Sequence, residues 1–307
     1  MSTPSSAETL KQHVWAGRIP VVFCLDPKEV TTLHAPRPFY VSQYTFCKPM
    51  ELFQSKLNLY IFQAMLPRMS YLVSQTRDVV EYFRDIAPPV SMMQGTSIWF
   101  EANGVPLHWH LPFGLLRDLL CGPAALDLPW ALTVHFLGFP SDVLLPCGNE
   151  QSVESHFMHS LKQATFLRMG STKAVMSLPE AKQTRIWTSI SQNDYESYRE
   201  ATHDLHLDGR VDASALRQLP LRVHFQNEPA IQMPIAPLEN GREKLLLEVL
   251  HYLLPDLFPD AISESQPQEF QLVVHGVVVP LKVSIVELYR HFSYADGFLY
   301  IAVLSNS

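Results

Sequence analysis

Glycine is scarce, with 12 residues in a chain of 307. Neither GxGxxG nor GxxxxGK[ST] occurs, which excludes the phosphate-cradling loops of dinucleotide and nucleotide folds. Positive charge is also short. The 23 basic residues face 30 acidic ones, a net charge of −7, and this argues against nucleic acid as a partner. Only nine of the basic residues are lysines, none of them between Lys56 and Lys162. The four cysteines, Cys24, Cys47, Cys121 and Cys147, show no CxxC spacing. The N-terminus has no basic segment followed by an apolar one. Free cytosolic thiols are therefore expected, not disulfides or zinc ligands. No run of about 18 purely apolar residues exists to span a bilayer. The nearest, 270–288, is broken by His275, Gly276, Pro280, Lys282 and Ser284 and reads as paired strands.

What is present suits a folded protein. The chain is 47% apolar and 17% charged, enough for real cores. At about 150 residues per domain its length allows two or three domains. Residues 7–16 suit a short helix ending at Gly17, and 19–24 is a β-branched strand. Helical spacing covers 69–83, with Leu72, Val79, Val80 and Phe83 on one face. Two apolar runs, 97–101 and 106–110, meet at Asn103-Gly104, a hairpin signal. A short helix over 114–120 and a strand over 130–136 follow.

The last third repeats this order. Strands are expected over 221–225 and 231–235, a helix over 244–254, strand–turn–strand over 270–281, a short helix over 284–292 and a strand over 298–304. Hairpin, helix, two strands, short helix and final strand is the order of a β-grasp, and finding it twice points to a duplication. Between the halves no good strand appears. Val153, Phe157, Leu161 and Ala164 form one apolar stripe, and 182–207 is a second helical stretch. The fold class is α+β: two β-grasp (ubiquitin-like) domains around a helical one. The expected boundaries are an N-terminal helix over 1–17, a first ubiquitin-like domain over 18–145, a helix-rich domain over 146–210 and a second ubiquitin-like domain over 211–307.

Candidate chemistry is thin. His108 and His110 are an HxH pair expected on one strand face, but no cysteine or acidic ligand pair stands near them in sequence; His156 and His159, one helical turn apart, could share a metal, though solvated or capping histidines are far commoner. Cys121 has His135 as a conceivable base without any signature around it. No catalytic residue, cofactor or metal is expected. A cysteine or metal hydrolase would need a pocket joining Cys121 to His135, or HxH to a carboxylate. Lys162 sits about 140° from the centre of the apolar stripe at 100° per residue, which presents its amine to solvent as on many surface lysines. The C-terminal Ala302–Ser307 lacks the terminal glycine of a ubiquitin-like donor. The chain is therefore expected to be an acceptor, a scaffold or both.

Several segments together resemble the autophagy protein 5 family over most of the chain. They are HVWAGRIP from His13, LPRMSYL from Leu66, IWFE from Ile98, PLHWHLPFGLLRDLL from Pro106 and PWALTVHF from Pro129. ESHFMHSLK from Glu154, Ile186-Trp187 and HFSYADGFL from His291 continue the series in the same order. The resemblance implies two ubiquitin-like domains flanking a helix-rich one. It also implies a non-catalytic subunit joined by an isopeptide bond to the C-terminal glycine of autophagy protein 12. The family motif His-Phe-Met-x-x-x-Lys falls on His156–Lys162, making Lys162 the acceptor, whereas Lys173 and Lys182 do not match. Further implied are activating enzyme 7 and conjugating enzymes 10 and 3 as transient contacts. Coiled-coil protein 16 would bind a groove across the two ubiquitin-like domains. The assembly would act like an E3 ligase in lipidation of protein 8 with phosphatidylethanolamine, in the cytoplasm and peripherally on the phagophore membrane, during autophagosome assembly. From another class, the alternative is an unconjugated ubiquitin-like adaptor for a coiled coil.

One stretch departs from the family pattern. Phe39-Tyr40 is followed by 26 residues before Pro67-Arg68, counting 41–66, where family members have about three. Removing 41–63 restores the spacing. Val41-Ser42 can be encoded by GTAAGT and Phe62-Gln63 by TTTCAG, which are splice donor and acceptor consensus sequences. The segment reads as a retained in-frame intron or as a lineage-specific loop. Either way a loosely packed surface excursion is expected there.

Overall fold

The computed structural model describes residues 6–31, 39–40, 61–88, 98–123, 128–147, 149–205, 207, 212–226, 228–259 and 269–305. Helix α1 (Ser6–Ala16) leads into strand β1 (Arg18–Leu25), and a two-residue strand β2 (Phe39–Tyr40) comes before β3 (Ile61–Pro67). Then follow α2 (Leu72–Gln75), α3 (Arg77–Arg84), the hairpin β4 (Trp99–Ala102) and β5 (Val105–Pro106), α4 (Phe113–Cys121) and β6 (Trp130–His135). These strands form one sheet in the order β2-β3-β1-β6-β4-β5. Strand β1 sits centrally, antiparallel to β3 and parallel to β6, and Val21, Phe23 and Leu25 are buried. Its β-branched and aromatic residues suit this doubly paired position.

The predicted helix over 69–83 is instead two helices. Residues 69–71 are turn and bridge, and the chain breaks again at Thr76, whose hydroxyl donates to the carbonyl of Leu72 at 3.0 Å. Such local side-chain bonds offer the backbone an alternative to continuing the helix. Leu72, Val79 and Phe83 are buried as expected.

The middle is helical: α5 (Glu150–Met169), α6 (Lys173–Met176), α7 (Glu180–Gln192) and α8 (Tyr195–Ala201). The Asn149 side chain caps α5 by accepting from Ser152 N at 3.0 Å, and Gly170 ends the helix at φ 71°. That left-handed terminus is where glycine has no steric penalty. The expected single helix from 182 divides at Asn193, which takes φ 57°.

The second ubiquitin-like unit contains β7 (Leu221–His224), a small hairpin β8 (Leu238–Glu239) and β9 (Arg242–Glu243), α9 (Leu246–Leu253), β10 (Phe270–Val274), β11 (Val277–Val278), α10 (Ile285–Phe292) and β12 (Leu299–Ser305). Its four-stranded sheet runs β11-β10-β12-β7, with β12 and β7 parallel. The strand expected over 231–235 is not regular. Only isolated bridges join Val223 to Ile231 and Leu219 to Ile235. The sequence there carries Pro234 between the two bridging residues, and proline cannot donate to a ladder.

The duplication shows in the turns. Asn103-Gly104 has φ 51° and 81°, and its counterpart His275-Gly276 has 50° and 81°. Both suit a two-residue turn with positive φ at both positions. His275 does this with a buried ring, stacked on Tyr294 at 4.0 Å between centroids.

Two cores result. One holds the first sheet, α1 and the helical module, and it extends to Tyr294, Phe298 and Tyr300 of the last unit. The other fills the second ubiquitin-like unit. Arg68 and Asp118 fasten the units. Asp118 pairs with Arg68 through Oδ1, and its Oδ2 accepts from Gly276 N at 2.9 Å. Gly114 is required nearby, since a Cβ would stand 2.9 Å from the Arg68 carbonyl oxygen. Among the described residues no helix is long and apolar enough to cross a membrane.

The segment 41–63 is not wholly an excursion. Residues 41–60 lie outside the described residues. Its last three, however, belong to β3, where Ile61, Phe62 and Gln63 pair with Cys24, Phe23 and Val22. Phe62 is buried and lies edge-on to Phe23. The expectation of loose packing is corrected there.

Candidate functional site

Lys162 lies in the second half of α5, a 20-residue helix capped at both ends. Val153, Phe157, Leu161 and Ala164 are buried on one side, as their spacing requires. The lysine is half-buried, not fully exposed, and the neighbouring Met158 is buried too. The helix touches more than its apolar stripe predicts because the chain folds against both of its flanks. Ser160, Thr165 and Arg168 are also buried, and Arg168 donates to the Leu205 carbonyl at 3.0 Å. Among the described residues nothing pairs with the Lys162 amine. Lys182 differs: its Nζ sits 2.7 Å from Asp204 Oδ2. Lys173 is exposed at the start of the four-residue α6. On the Lys162 face, Phe166 and Met169 are exposed at 51% and 48%, one and two turns further along.

Three of the four predicted histidines come together, and His159 stays apart. His108 and His110 are not on a strand: β5 ends at Pro106 and 107–110 are loop and turn. Proline at 106 and again at 112 limits the ladder on that edge. The turn brings His110 within 5.2 Å of His156 and 5.4 Å of His108, centroid to centroid. His159 is exposed on α5. Burial, reinforced by the neighbouring histidines and Arg222, lowers His110 to about 4. Burial likewise lowers His224 on β7 to about 3, with Arg222 adding to it. These rings form a neutral cluster where the three units meet.

Cys121 and His135 are not brought together. The His135 ring nitrogens face Asp26, Glu29 and Glu101, while Cys121 ends α4 and lines a cleft. That cleft, about 470 Å³, lies between the two ubiquitin-like units. Leu119, Leu120 and Cys121 form one wall, and Phe225, Phe270 and Leu304 contribute to the other. The sequence could not point to it, because its walls come from segments a hundred or more residues apart.

Known proteins of the same kind were found by sequence and by structure. The family model for autophagy protein ATG5, UblA domain, matches residues 45–136. The alpha-helical bundle region model matches 150–207, and the UblB domain model matches 218–303. The first match begins inside the 41–63 segment. Autophagy protein 5 of Penicillium rubens is 29% identical over 99% of this chain and 99% of its own length. Autophagy protein 5 of Arabidopsis thaliana is 33% identical over 70% of this chain and 55% of its own. The crystal structure of Kluyveromyces marxianus Atg5 superposes with a TM-score of 0.71 at 25% identity, covering 97% of this chain and 100% of that one. With all three domain models in order along it, the chain belongs to the autophagy protein 5 family.

Proposed function

We propose that this protein is a non-catalytic, E3-like scaffold of the autophagy conjugation machinery, with Lys162 as the acceptor of autophagy protein 12. The observation that carries the reading is the match of His156–Lys162 to the family's acceptor motif on a helix capped at both ends, with the amine unpaired among the described residues. An acceptor amine must lose its proton and reach a carbonyl carbon, and an ion pair opposes both. Lys182, held by Asp204, is the poorer candidate on that ground. In the step itself, neutral Nζ attacks the thioester carbonyl at the C-terminal glycine of protein 12. The C–S bond breaks, the conjugating enzyme's thiol leaves with the amine's proton, and the C–N isopeptide bond forms.

The cleft between the ubiquitin-like units is where we seat the helix of protein 16. Its walls offer leucine and phenylalanine side chains, as helix-in-groove recognition needs. Protein 8 lipidation would follow from positioning conjugating enzyme 3 at the phagophore membrane, with the protein cytoplasmic and peripheral there. Conjugation of wild type and Lys162→Arg with the pathway's own enzymes tests this. A covalent species of higher mass is expected from wild type and not from the variant. If it persists in Lys162→Arg, the acceptor is elsewhere. If wild type forms none yet still binds a protein 16 peptide, the unconjugated adaptor reading replaces this one.

A further inference from the structure

Four groups far apart in sequence converge at one end of the first sheet. Asp26 caps and Glu29 ends the 3₁₀ turn Pro27–Glu29 after β1, Glu101 lies on β4, and His135 ends β6. Asp26 Oδ2 is 3.2 Å and Glu29 Oε1 is 3.6 Å from His135 Nδ1. On the far side of the ring, Glu101 Oε2 is 3.3 Å from Nε2. His135 is 6% exposed.

The groups are held in place. Asp26 Oδ1 accepts from Lys28 N at 2.9 Å, which turns Oδ2 towards the imidazole. Glu29 accepts from Phe136 N at 2.6 Å and Leu137 N at 3.2 Å. Trp99 stacks flat on the His135 ring, at 3.9 Å between centroids and 9° between planes. The Trp99 indole is in turn fixed by a 2.9 Å bond to the Leu137 carbonyl.

Three carboxyl groups surround one imidazole, and among the described residues no lysine or arginine pairs with Asp26, Glu29 or Glu101. The His135 Nε2, on the far side of the ring from Asp26 and Glu29, is buried without a hydrogen bond, and Glu101 faces it without satisfying it. The oxygen–nitrogen separations on the Nδ1 side are close to the edge of a tetrahedron with bonds of about 2.0–2.1 Å, which is about 3.3–3.4 Å. The three ligand atoms lie within 4.8 Å of one another.

We propose that Asp26, Glu29 and His135 bind a divalent transition cation through Oδ2, Oε1 and Nδ1. One nitrogen and two carboxylate oxygens suit Zn²⁺, with solvent as the fourth ligand on the partly exposed Asp26 side. Bound there, the cation would tie the turn after β1 to the end of β6 and brace the sheet edge.

The test uses the full chain, stripped with a chelator and titrated with Zn²⁺ by calorimetry, with Co²⁺ as a spectroscopic probe. One equivalent should bind, and Co²⁺ should give the intense visible bands of a tetrahedral site. Asp26→Asn, at a partly exposed position, should abolish saturable binding while the far-UV spectrum is unchanged. Binding that survives Asp26→Asn overturns the proposal. So does the absence of saturable binding in wild type, or its loss in His110→Asn, which would assign the cation to the His108, His110 and His156 cluster.

Discussion

His224 makes the stability of this protein depend on pH in a way that can be isolated. It sits on β7 beside Tyr300, 5.5 Å between ring centroids, and its Nε2 is buried without a partner. Burial, then Arg222, His110 and His108, lower its pKa from 6.5 to about 3. The folded protein therefore holds this ring neutral where the unfolded chain protonates it. A depressed histidine contributes stability in full above the unfolded value and loses it as pH falls towards the folded one. Below 6.5 the loss is about 1.4 kcal/mol per pH unit. From about pH 7.5 to 5.0 this amounts to about 2 kcal/mol from His224 alone. The informative measurement is a double difference. Urea unfolding of wild type and His224→Phe is followed at both pH values, so that every other titrating group cancels. Phenylalanine keeps a buried ring and removes the titration. The variant should lose about 2 kcal/mol less than wild type on acidification. Parallel losses would show that His224 is hydrated or paired in solution and would refute the reasoning.

Other outcomes follow from the same geometry. Asp118→Ala leaves the Arg68 guanidinium buried without its partner and removes the acceptor for Gly276 N. It should cost about 3–5 kcal/mol, seen as a lower thermal midpoint, whereas Arg68→Met with Asp118→Leu should recover much of the loss. Phe62→Ala in the full chain should cost about 3–5 kcal/mol in urea unfolding, because the ring is buried in the first core. A chain lacking 41–63 should still unfold cooperatively, and in that chain Phe39→Asp should abolish the folded state by circular dichroism.

Much of the fold was legible because local pattern and tertiary demand agree. The alternation of Leu132, Val134 and Phe136 and the Asn103-Gly104 turn each state their own structure. The failures fall where long-range packing decides. The 231–235 segment has strand composition, but Pro234 interrupts it and only bridges form. Lys162 points away from the Val153–Ala164 stripe, yet periodicity on one helix says nothing of what covers the other flank. The Asp26, Glu29, Glu101 and His135 cluster has no sequence signature at all. Its members are united by the register of β1, β4 and β6, which spacing does not encode.

The 41–63 segment shows how sequence and structure combine. Strand β2 pairs parallel with β3, setting Phe39 against Phe62 and Tyr40 against Gln63. The same two positions are aligned by the chain itself if 41–63 is absent. Phe62 stands two residues before Ala64, and in the shorter chain so does Phe39. Side chains two apart share a sheet face, so Phe39 would enter the core where Phe62 now packs, opposite Phe23. Tyr40 would take the place of Gln63, whose side chain is only half-buried. The longer chain thus carries two copies of one aromatic–polar strand start and uses the second, leaving the first paired at the sheet edge. A genuine lineage-specific loop has no need to supply such a replacement, and a retained intron ending in Phe62-Gln63 supplies it by accident of its acceptor codons. The register predicts that both chains fold to the same sheet, with β1 paired to Phe62-Gln63 in one and to Phe39-Tyr40 in the other.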